Sequence, residues 1–229
     1  MKNGFTLAEV LITLGVIGVV AAITIPSLIN SYKAHQLRSQ FLKSYSIITQ
    51  VAQQMKNDEI DYDSLQAMYG DGYYWHGTYK IFKQYVKYSI DCETSPTEKT
   101  HKYCSRKSTD TNKEYKTLFG KYKLNPDMIS SGELILPDGT NLLFNRKHTV
   151  AVDLNGFANP PNRTGYDLFF FRYVDGNYLP EGFAGTLFST QMKNYACNTS
   201  KDNNGLNGMS CAQKAATEND YFKKIIKKK

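Results

Sequence analysis

The longest apolar run in the chain, from Phe5 to Ile29, sets the strongest limit on how the protein can fold. Its 25 residues carry one formal charge, that of Glu9. At about 1.5 Å of rise per residue, a helix of this length crosses a hydrocarbon core of roughly 30 Å. The run is therefore predicted to be a transmembrane helix. Glu9 needs a partner there, because an unpaired carboxylate deep in lipid costs on the order of 2.5–3.5 kcal/mol.

The basic character of the chain is concentrated at its two ends. The formal net charge is +7, and Lys2 together with the five lysines between positions 223 and 229 supplies six of those charges. The body of the protein is nearly neutral, so the composition does not indicate a nucleic-acid-binding surface. With 229 residues, the chain can form one folded domain of ordinary size beyond the apolar run.

Four cysteines indicate the compartment of that domain. Cys92 and Cys104 are separated by 11 residues and Cys197 and Cys211 by 13, and the sequence has no C-x-x-C motif. This spacing fits two locally closed disulfide loops better than a zinc site, and it indicates an oxidising, extracytoplasmic compartment. Pairing Cys92 with Cys104 and Cys197 with Cys211 is the simplest of three connectivities. Four free buried thiols are the alternative.

The residues from Lys2 to Leu11, K-N-G-F-T-L-A-E-V-L, resemble the type IV prepilin signature, in which a short basic leader ends in glycine. The resemblance implies that prepilin peptidase cuts between Gly4 and Phe5 and that Phe5 becomes N-methylated. Glu9 then falls where the family carries its glutamate, and Pro26 where many pilins have a helix-softening proline. The resemblance also implies that Glu9 pairs with the new amino terminus of a neighbouring subunit during assembly.

Two other interpretations of the N-terminal segment are a conventional secretory signal and a simple single-pass anchor. Glu9 argues against the signal, because its apolar region gains nothing from a carboxylate. The flanking charges leave the orientation open, since Lys33, Arg38 and Lys43 follow the run closely. The cysteines therefore decide the prediction, which is a single-pass inner (cytoplasmic) membrane protein with a cytoplasmic N-terminus and an extracytoplasmic head.

Beyond Ile29 the apolar pattern predicts that the helix continues. Apolar residues recur every three or four positions and fall on one face: Leu37, Phe41, Tyr45, Ile48, Ala52 and Met55. Pro26 lacks a donor N–H, so we expect a bend or local melting there and not a full stop. The predicted organisation is a leader at 1–4, a transmembrane helix at 5–29, an amphipathic continuation at 30–56 and a globular head at 57–229.

Within the head, the sequence predicts an α+β, pilin-like fold in which the long N-terminal helix packs on a small antiparallel sheet. The region from Asn57 to Ser131 is expected to be irregular, with an alternating run over 81–90. From residue 133 onward, strand patterns predict a meander, with strands at 133–136, 141–144, 149–153 and 167–174. A final helix is predicted from Ser210, its N-cap, through Asp220, followed by a solvated, frayed lysine tail.

The connection from residue 153 to residue 167 resembles a loop of secretion-type pilin-like proteins. Asp153, Asn155 and Asp167 offer oxygen ligands of the kind that calcium prefers. The alternative is that these side chains make Asx turns around a bend that Gly156 permits. The sequence indicates no other cofactor.

The sequence offers no recognisable catalytic constellation, and we interpret the protein as a non-enzyme. The histidines His35, His76, His101 and His148 are scattered singly, and no glycine-rich phosphate loop is present. The leading hypothesis is a structural subunit, a pilin or pseudopilin, of a type IV pilus or type II secretion filament. Its partners would be prepilin peptidase, other subunits in a homo- or hetero-filament, and the membrane. One alternative is a minor or competence-type pilin that binds DNA or a surface, and another is a membrane-anchored enzyme.

Overall fold

The structure, a computed structural model, describes residues 6–60, 71–93, 103–105, 114–145, 148–189 and 196–227, with backbone alone over 71–75. The helices are α1 Leu7–Asn57, α2 Asp71–Tyr85, α3 Cys211–Thr217 and α4 Tyr221–Lys227, with a short 3₁₀ helix at Pro126–Ile129. The strands are β1 Ile90–Asp91, β2 Glu133–Ile135, β3 Asn141–Asn145, β4 Thr149–Asp153, β5 Leu168–Val174 and β6 Asn177–Pro180.

In the described part of the chain, the six strands form one antiparallel sheet in the order β1 to β6. Each strand pairs with the next along the chain, so that Val152 of β4 lies between Leu142 of β3 and Phe169 of β5. The α+β class and the antiparallel meander are confirmed. The sheet contains the four predicted strands and one further strand at each edge, β1 and β6.

Strand β6 was not predicted, because the last strand expected from the sequence ends at residue 174 and turn residues follow it. Instead, the chain turns back through Asp175 at φ 48° and Gly176 at φ 80°. A two-residue turn with positive φ at both positions matches the right-handed twist of the flanking strands, and Asp-Gly is a preferred pair for it. Strand β5 therefore continues directly into β6.

Both faces of the sheet are buried. On one face, Phe144, Val152 and Phe169 join the core shared with α1. On the other face, Leu143 and Phe170 belong to a second core, covered by loop residues such as Tyr115, Leu124, Phe157 and Met209. Burial on both faces explains why the sequence of β5 begins with a continuous apolar run and does not alternate between apolar and polar residues.

The second half of α1 packs its predicted apolar face against the sheet. The buried side chains recur every three or four residues: Ala34, Leu37, Phe41, Ser44, Ile48, Val51, Ala52 and Met55. Phe41 lies at the centre, with its ring centroid 5.0 Å from that of Phe169, 5.7 Å from Phe171 and 6.0 Å from Phe222. Tyr45, also predicted on this face, is partly buried and stacks on Phe171.

The prediction of an irregular segment after α1 is wrong over residues 71–85, which form α2. Tyr79 and Phe82 are buried, with ring centroids 5.8 Å and 5.2 Å from that of Phe144. Gly72 and Gly77 lower the intrinsic preference for helix, and packing against β3 outweighs that local cost. The run predicted to alternate over 81–90 is helical as far as Tyr85.

The C-terminal region also differs from its prediction. Helix α3 ends at Thr217 instead of Asp220, and Ser210 at its N-cap makes no side-chain capping bond. A separate helix, α4, follows and buries Tyr221, Phe222 and two isoleucines against the core. The described part of the lysine-rich end is therefore folded onto α1 and is not a frayed terminus, whereas Lys228 and Lys229 lie outside the described residues.

Two disulfide bonds are present in the described chain, Cys92–Cys104 and Cys197–Cys211, with Cα atoms 5.8 Å and 5.0 Å apart. This is the local pairing that the spacing favoured over the other connectivities. The bridges close loops at opposite ends of the head sequence. The second bridge attaches the start of α3 to the segment that follows the sheet.

Candidate functional site

The first half of α1 exposes its apolar surface on every side. All large apolar side chains between Leu7 and Ile29 are exposed, with Leu28 at 70%. None of the most apolar 18-residue window of this helix is buried within the described chain. A helix that is apolar all round needs lipid or neighbouring helices around it. By length and composition, α1 can cross a membrane, and its exposure distinguishes it from the buried core helix of a water-soluble domain.

The start of α1 is fixed by a capping box between Thr6 and Glu9. The Thr6 backbone N–H and the Thr6 hydroxyl both donate to Glu9 Oε2, each at 2.8 Å. The Glu9 N–H donates in return to Thr6 Oγ1 at 3.3 Å. Within one chain, Thr6 is therefore the partner that the Glu9 carboxylate requires.

The contact of Thr6 with Glu9 was not predicted from the sequence. A threonine three residues before a glutamate, at the start of an apolar run, is the pattern of a capping box. The pattern was available in Thr6-Leu7-Ala8-Glu9.

The other N-terminal residues singled out from the sequence divide into described and undescribed ones. Gly4 and Phe5, at the predicted cleavage junction, lie outside the described residues. Helix α1 continues without interruption through Pro26, so the described backbone shows no local melting there, and the predicted bend stays a prediction. Helices in membranes tolerate proline where hydroxyl side chains and neighbouring helices compensate for the lost bond.

The first 25 residues match the prokaryotic N-terminal methylation motif. The chain thus carries the signature of type IV prepilin- and pseudopilin-like proteins. The match covers the predicted leader, Glu9 and most of the apolar run, and it ends one residue before Pro26. No curated protein and no solved structure matches the chain.

The prepilin motif has three direct implications. It is a motif of structural pilin-type proteins and not of an enzyme family. It implies processing by a peptidase and assembly with other pilin subunits. Together with the exposed apolar helix, it indicates a membrane-anchored protein.

The loop between β4 and β5, which supplied the predicted calcium ligands, contains two buried carboxyl groups. Asp153 accepts hydrogen bonds from the Gly156 N–H at 3.0 Å and from the Tyr115 hydroxyl at 2.8 Å. Asp167 accepts from the backbone N–H groups of residues 162 and 163 at 3.0 Å and 2.6 Å. Each carboxylate oxygen thus holds the loop backbone or a neighbouring hydroxyl in place.

The two carboxyl groups are hard to ionise. Burial, reinforced by the charge of Asp167, raises the pKa of Asp153 well above its usual range. Burial also raises the pKa of Asp167 to about 6, despite the hydrogen bonds from its backbone donors. Burial and the nearby Asp153 raise the pKa of Tyr115 as well, so its hydroxyl remains a donor at neutral pH.

The remaining predicted ligand, Asn155, donates from its amide to the Asn159 carbonyl, while its Oδ1 is buried without a hydrogen-bond partner in the described chain. Gly156 adopts φ 79°, and a Cβ at that position would collide with the carbonyl oxygen of Gly139. These features match the alternative of Asx turns around a glycine bend. Among the described residues, no group of three or more His, Cys, Asp or Glu side chains is arranged to hold a metal ion. Calcium binding stays a prediction.

Proposed function

We propose that this chain is a structural subunit, a pilin or pseudopilin, of a type IV pilus or type II secretion filament. Its precursor is matured by prepilin peptidase between Gly4 and Phe5, with N-methylation of Phe5. The observation that carries the proposal is the match of residues 1–25 to the methylation motif. The motif opens a helix whose apolar half is exposed along its whole length in the described chain.

The same helix serves two states in this proposal. Before assembly, its apolar half lies in the cytoplasmic membrane with the N-terminus cytoplasmic and the head outside, where the two disulfides are chemically stable. In the filament, the apolar halves of many subunits surround one another and replace lipid as the partner. The head stays folded in both states because its core is complete without the first half of α1.

Glu9 links the two states through its charge. Cleavage after Gly4 creates an amino terminus on Phe5 that is largely cationic at neutral pH. Both Thr6 contacts end on Glu9 Oε2, and Oε1 accepts no hydrogen bond from the described residues. Oε1 is thus available to the ammonium group of an incoming subunit, while the capping box holds the carboxylate in position. An ion pair inside an apolar bundle requires both partners, so subunits out of register are disfavoured.

Two substitutions at Glu9 separate its charge from its capping role. Glu9→Ala removes both, whereas Glu9→Gln retains the capping box, in which glutamine serves as well as glutamate. We expect both variants to enter the membrane fraction at the wild-type level. Neither should yield filaments when the cells are sheared. Thr13→Ala, which removes a hydroxyl bonded to the Val10 carbonyl in the same helix, serves as the matched control and retains filaments. Normal filament yield from Glu9→Gln would contradict the charge-pairing role.

A further inference from the structure

Helix α4 runs back along α1 toward its apolar half. The turn before α4 is tied to α1 where Arg38 donates to the Asn219 side chain at 2.7 Å and to the Glu218 carbonyl at 3.3 Å. Phe222 packs on Phe41. Lys227, at the end of α4, lines a recess together with Ser27, Asn30 and Ser31, which follow Pro26 in α1. The C-terminal helix therefore points at the place where the exposed apolar stretch ends.

Helix α4 is held rigidly in that direction. Its buried face consists of Tyr221, Phe222, Ile225 and Ile226. The Tyr221 hydroxyl donates to the Gly165 carbonyl at 2.6 Å, inside the core. The opposite face presents exposed lysines. Their backbone positions are fixed relative to α1, unlike those of a loose tail.

Two of these lysines line a polar recess against α1. The recess has a volume of about 400 Å³ and is lined by Ser27, Asn30, Ser31, Lys223 and Lys227. Hydroxyl and amide groups lie on its α1 side and two ammonium groups on its α4 side. This set of donors suits a phosphate group.

The acidic side chains nearby are directed to a different lysine. Lys224 pairs with Glu218 at 3.1 Å and with Asp220 at 2.9 Å. In the described part of the chain, Lys223 and Lys227 form no ion pair. Lys223 contributes weakly, after Lys224, to lowering the pKa of Asp220. Both ammonium groups can nevertheless pair with a partner outside the chain.

The position of the recess along α1 indicates which partner this is. The apolar stretch from Leu7 to Ile29 is about 34 Å long at the standard rise, which brings Ile29 to the edge of a hydrocarbon core of roughly 30 Å. Tyr32 follows and is 70% exposed, at the depth where tyrosines line membrane interfaces. Asn30 and Ser31 therefore lie at the level of the lipid headgroups, and so does the recess.

We infer that this recess binds the phosphate of an anionic phospholipid in the leaflet on the head side of the membrane. The inference rests on the membrane insertion in the proposed function. Lysines near an anionic surface attract it within a Debye length. Because the recess borders the lipid-exposed part of α1, lipid is favoured over nucleic acid as the ligand. A bound headgroup would fix the tilt of the head above the membrane before assembly.

Lipid preference of the full-length chain tests the inference. The chain is purified in detergent, mixed with phosphatidylglycerol or phosphatidylcholine, and its lipid-bound forms are counted by native mass spectrometry. We expect the wild type to prefer phosphatidylglycerol. In K223Q/K227Q the preference should fall about 25-fold, at about fivefold for each lysine. The charge-matched control K121Q/K123Q changes exposed lysines of the 114–129 segment and should retain it.

Additional variants and measurements distinguish lipid binding from misfolding, DNA binding and failure of membrane insertion. K223R/K227R should keep the preference, and near-ultraviolet circular dichroism should show all variants folded, since the changed side chains are exposed. A wild type without preference for phosphatidylglycerol would overturn the inference. It would also be overturned if the two lysines bound a 20-base-pair DNA duplex in a salt-dependent manner and did not bind lipid. An alkaline carbonate wash tests the insertion itself. A chain that resists the wash but has no lipid preference contradicts only the inference, whereas a chain that is washed off contradicts the proposed function.

Discussion

The two halves of α1 belong to one uninterrupted helix and have opposite surroundings. From Leu7 to Ile29 the large apolar side chains are exposed, whereas from Ala34 to Met55 a stripe of side chains is buried against the sheet and α4. Phe41 is 0% exposed and Leu28 is 70% exposed. Backbone conformation alone therefore does not reveal what a helix is for. The partner of the second half belongs to this chain, whereas none of the described residues buries the large apolar side chains of the first half.

This contrast assigns stability and assembly to different halves of the helix. Substitutions in the second half should act on the unfolding of the head. Substitutions in the first half should act on insertion and filament formation and leave the head unchanged.

Phe41→Ala should destabilise the head strongly, because it empties a site surrounded by Phe169, Phe171 and Phe222. We expect the free energy of unfolding to fall by about 3–5 kcal/mol, the usual cost of deleting a buried phenylalanine ring. The matched change Leu28→Ala in the exposed half should leave it within about 0.5 kcal/mol. Denaturant titration of the full chain in detergent, followed by near-ultraviolet circular dichroism, measures both. Equal losses in the two variants would refute the separation.

Removal of the Cys197–Cys211 disulfide should loosen the cover over the buried half of α1. Because the two cysteines are 14 positions apart in the sequence, the double variant Cys197→Ser/Cys211→Ser should lose about 3 kcal/mol of stability. Hydrogen exchange should quicken in α3 and α4 and in the second half of α1. The first half, in detergent, should exchange as in the wild type. Cys92→Ser/Cys104→Ser is the comparison, with a loss of similar size and faster exchange near β1 instead.

The buried pair Asp153 and Asp167 predicts an unusual pH response of the head. Their pKa values are raised in the folded state, so the folded protein binds more protons than the unfolded chain between pH 4 and pH 6. Their contribution to stability is therefore complete below the unfolded pKa and is lost as pH rises through the folded pKa. On acidification from pH 7 to pH 5, Asp167 alone should add about 1 kcal/mol.

Thermal melts at pH 5 and pH 7 in EDTA measure this response, and Asp167→Asn should reduce it. Bound calcium would reverse the sign, since it holds both carboxylates ionised and is displaced by protons. Melts in excess calcium therefore test the predicted ligand set. Stabilisation by calcium at pH 7 that is lost on acidification and abolished by Asp167→Asn would support the predicted ligands Asp153, Asn155 and Asp167. Identical melts with and without calcium would leave the hydrogen-bonded turns as the explanation.

The parts of the fold that could be predicted from the sequence are those with a long or regular pattern. The apolar run predicted the first half of α1. The three- and four-residue spacing of Leu37, Phe41, Tyr45 and Ile48 predicted its second half and the face that packs on the sheet. Strands β2 to β5 followed from β-branched and aromatic runs bounded by turns. Their periodicities extend over enough residues to outweigh local exceptions.

The missed elements depend on contacts between distant parts of the chain. Helix α2 contains Gly72 and Gly77, and it is stabilised by packing of Tyr79 and Phe82 on β3, which no local pattern reveals. Helix α4 was predicted to be a charged tail because lysines make up much of its sequence. Its apolar face consists of two pairs of residues one helical turn apart, Tyr221-Phe222 and Ile225-Ile226. The second core is formed by loop residues from several segments that pack on the sheet. Which of them meet is decided by the tertiary fold and not by a local sequence pattern.

For the candidate site, the sequence revealed the chemistry, and the structure adds how it is held. Glu9 was identified from its position after the Gly-Phe junction. Its contact with Thr6 is local and was predictable, whereas the recess between Ser27, Asn30 and Lys227 was not. That recess joins residues about 200 positions apart in the sequence, which only the docking of α4 brings together.

Intact-mass measurement with N-terminal sequencing, on protein isolated from its native membrane, tests the assignment as a processed filament subunit most directly. We predict a chain that has lost Met1 to Gly4 and begins with N-methylated Phe5. A chain that retains Met1 to Gly4, or one cut beyond the apolar run in the manner of a secretory signal, would contradict it.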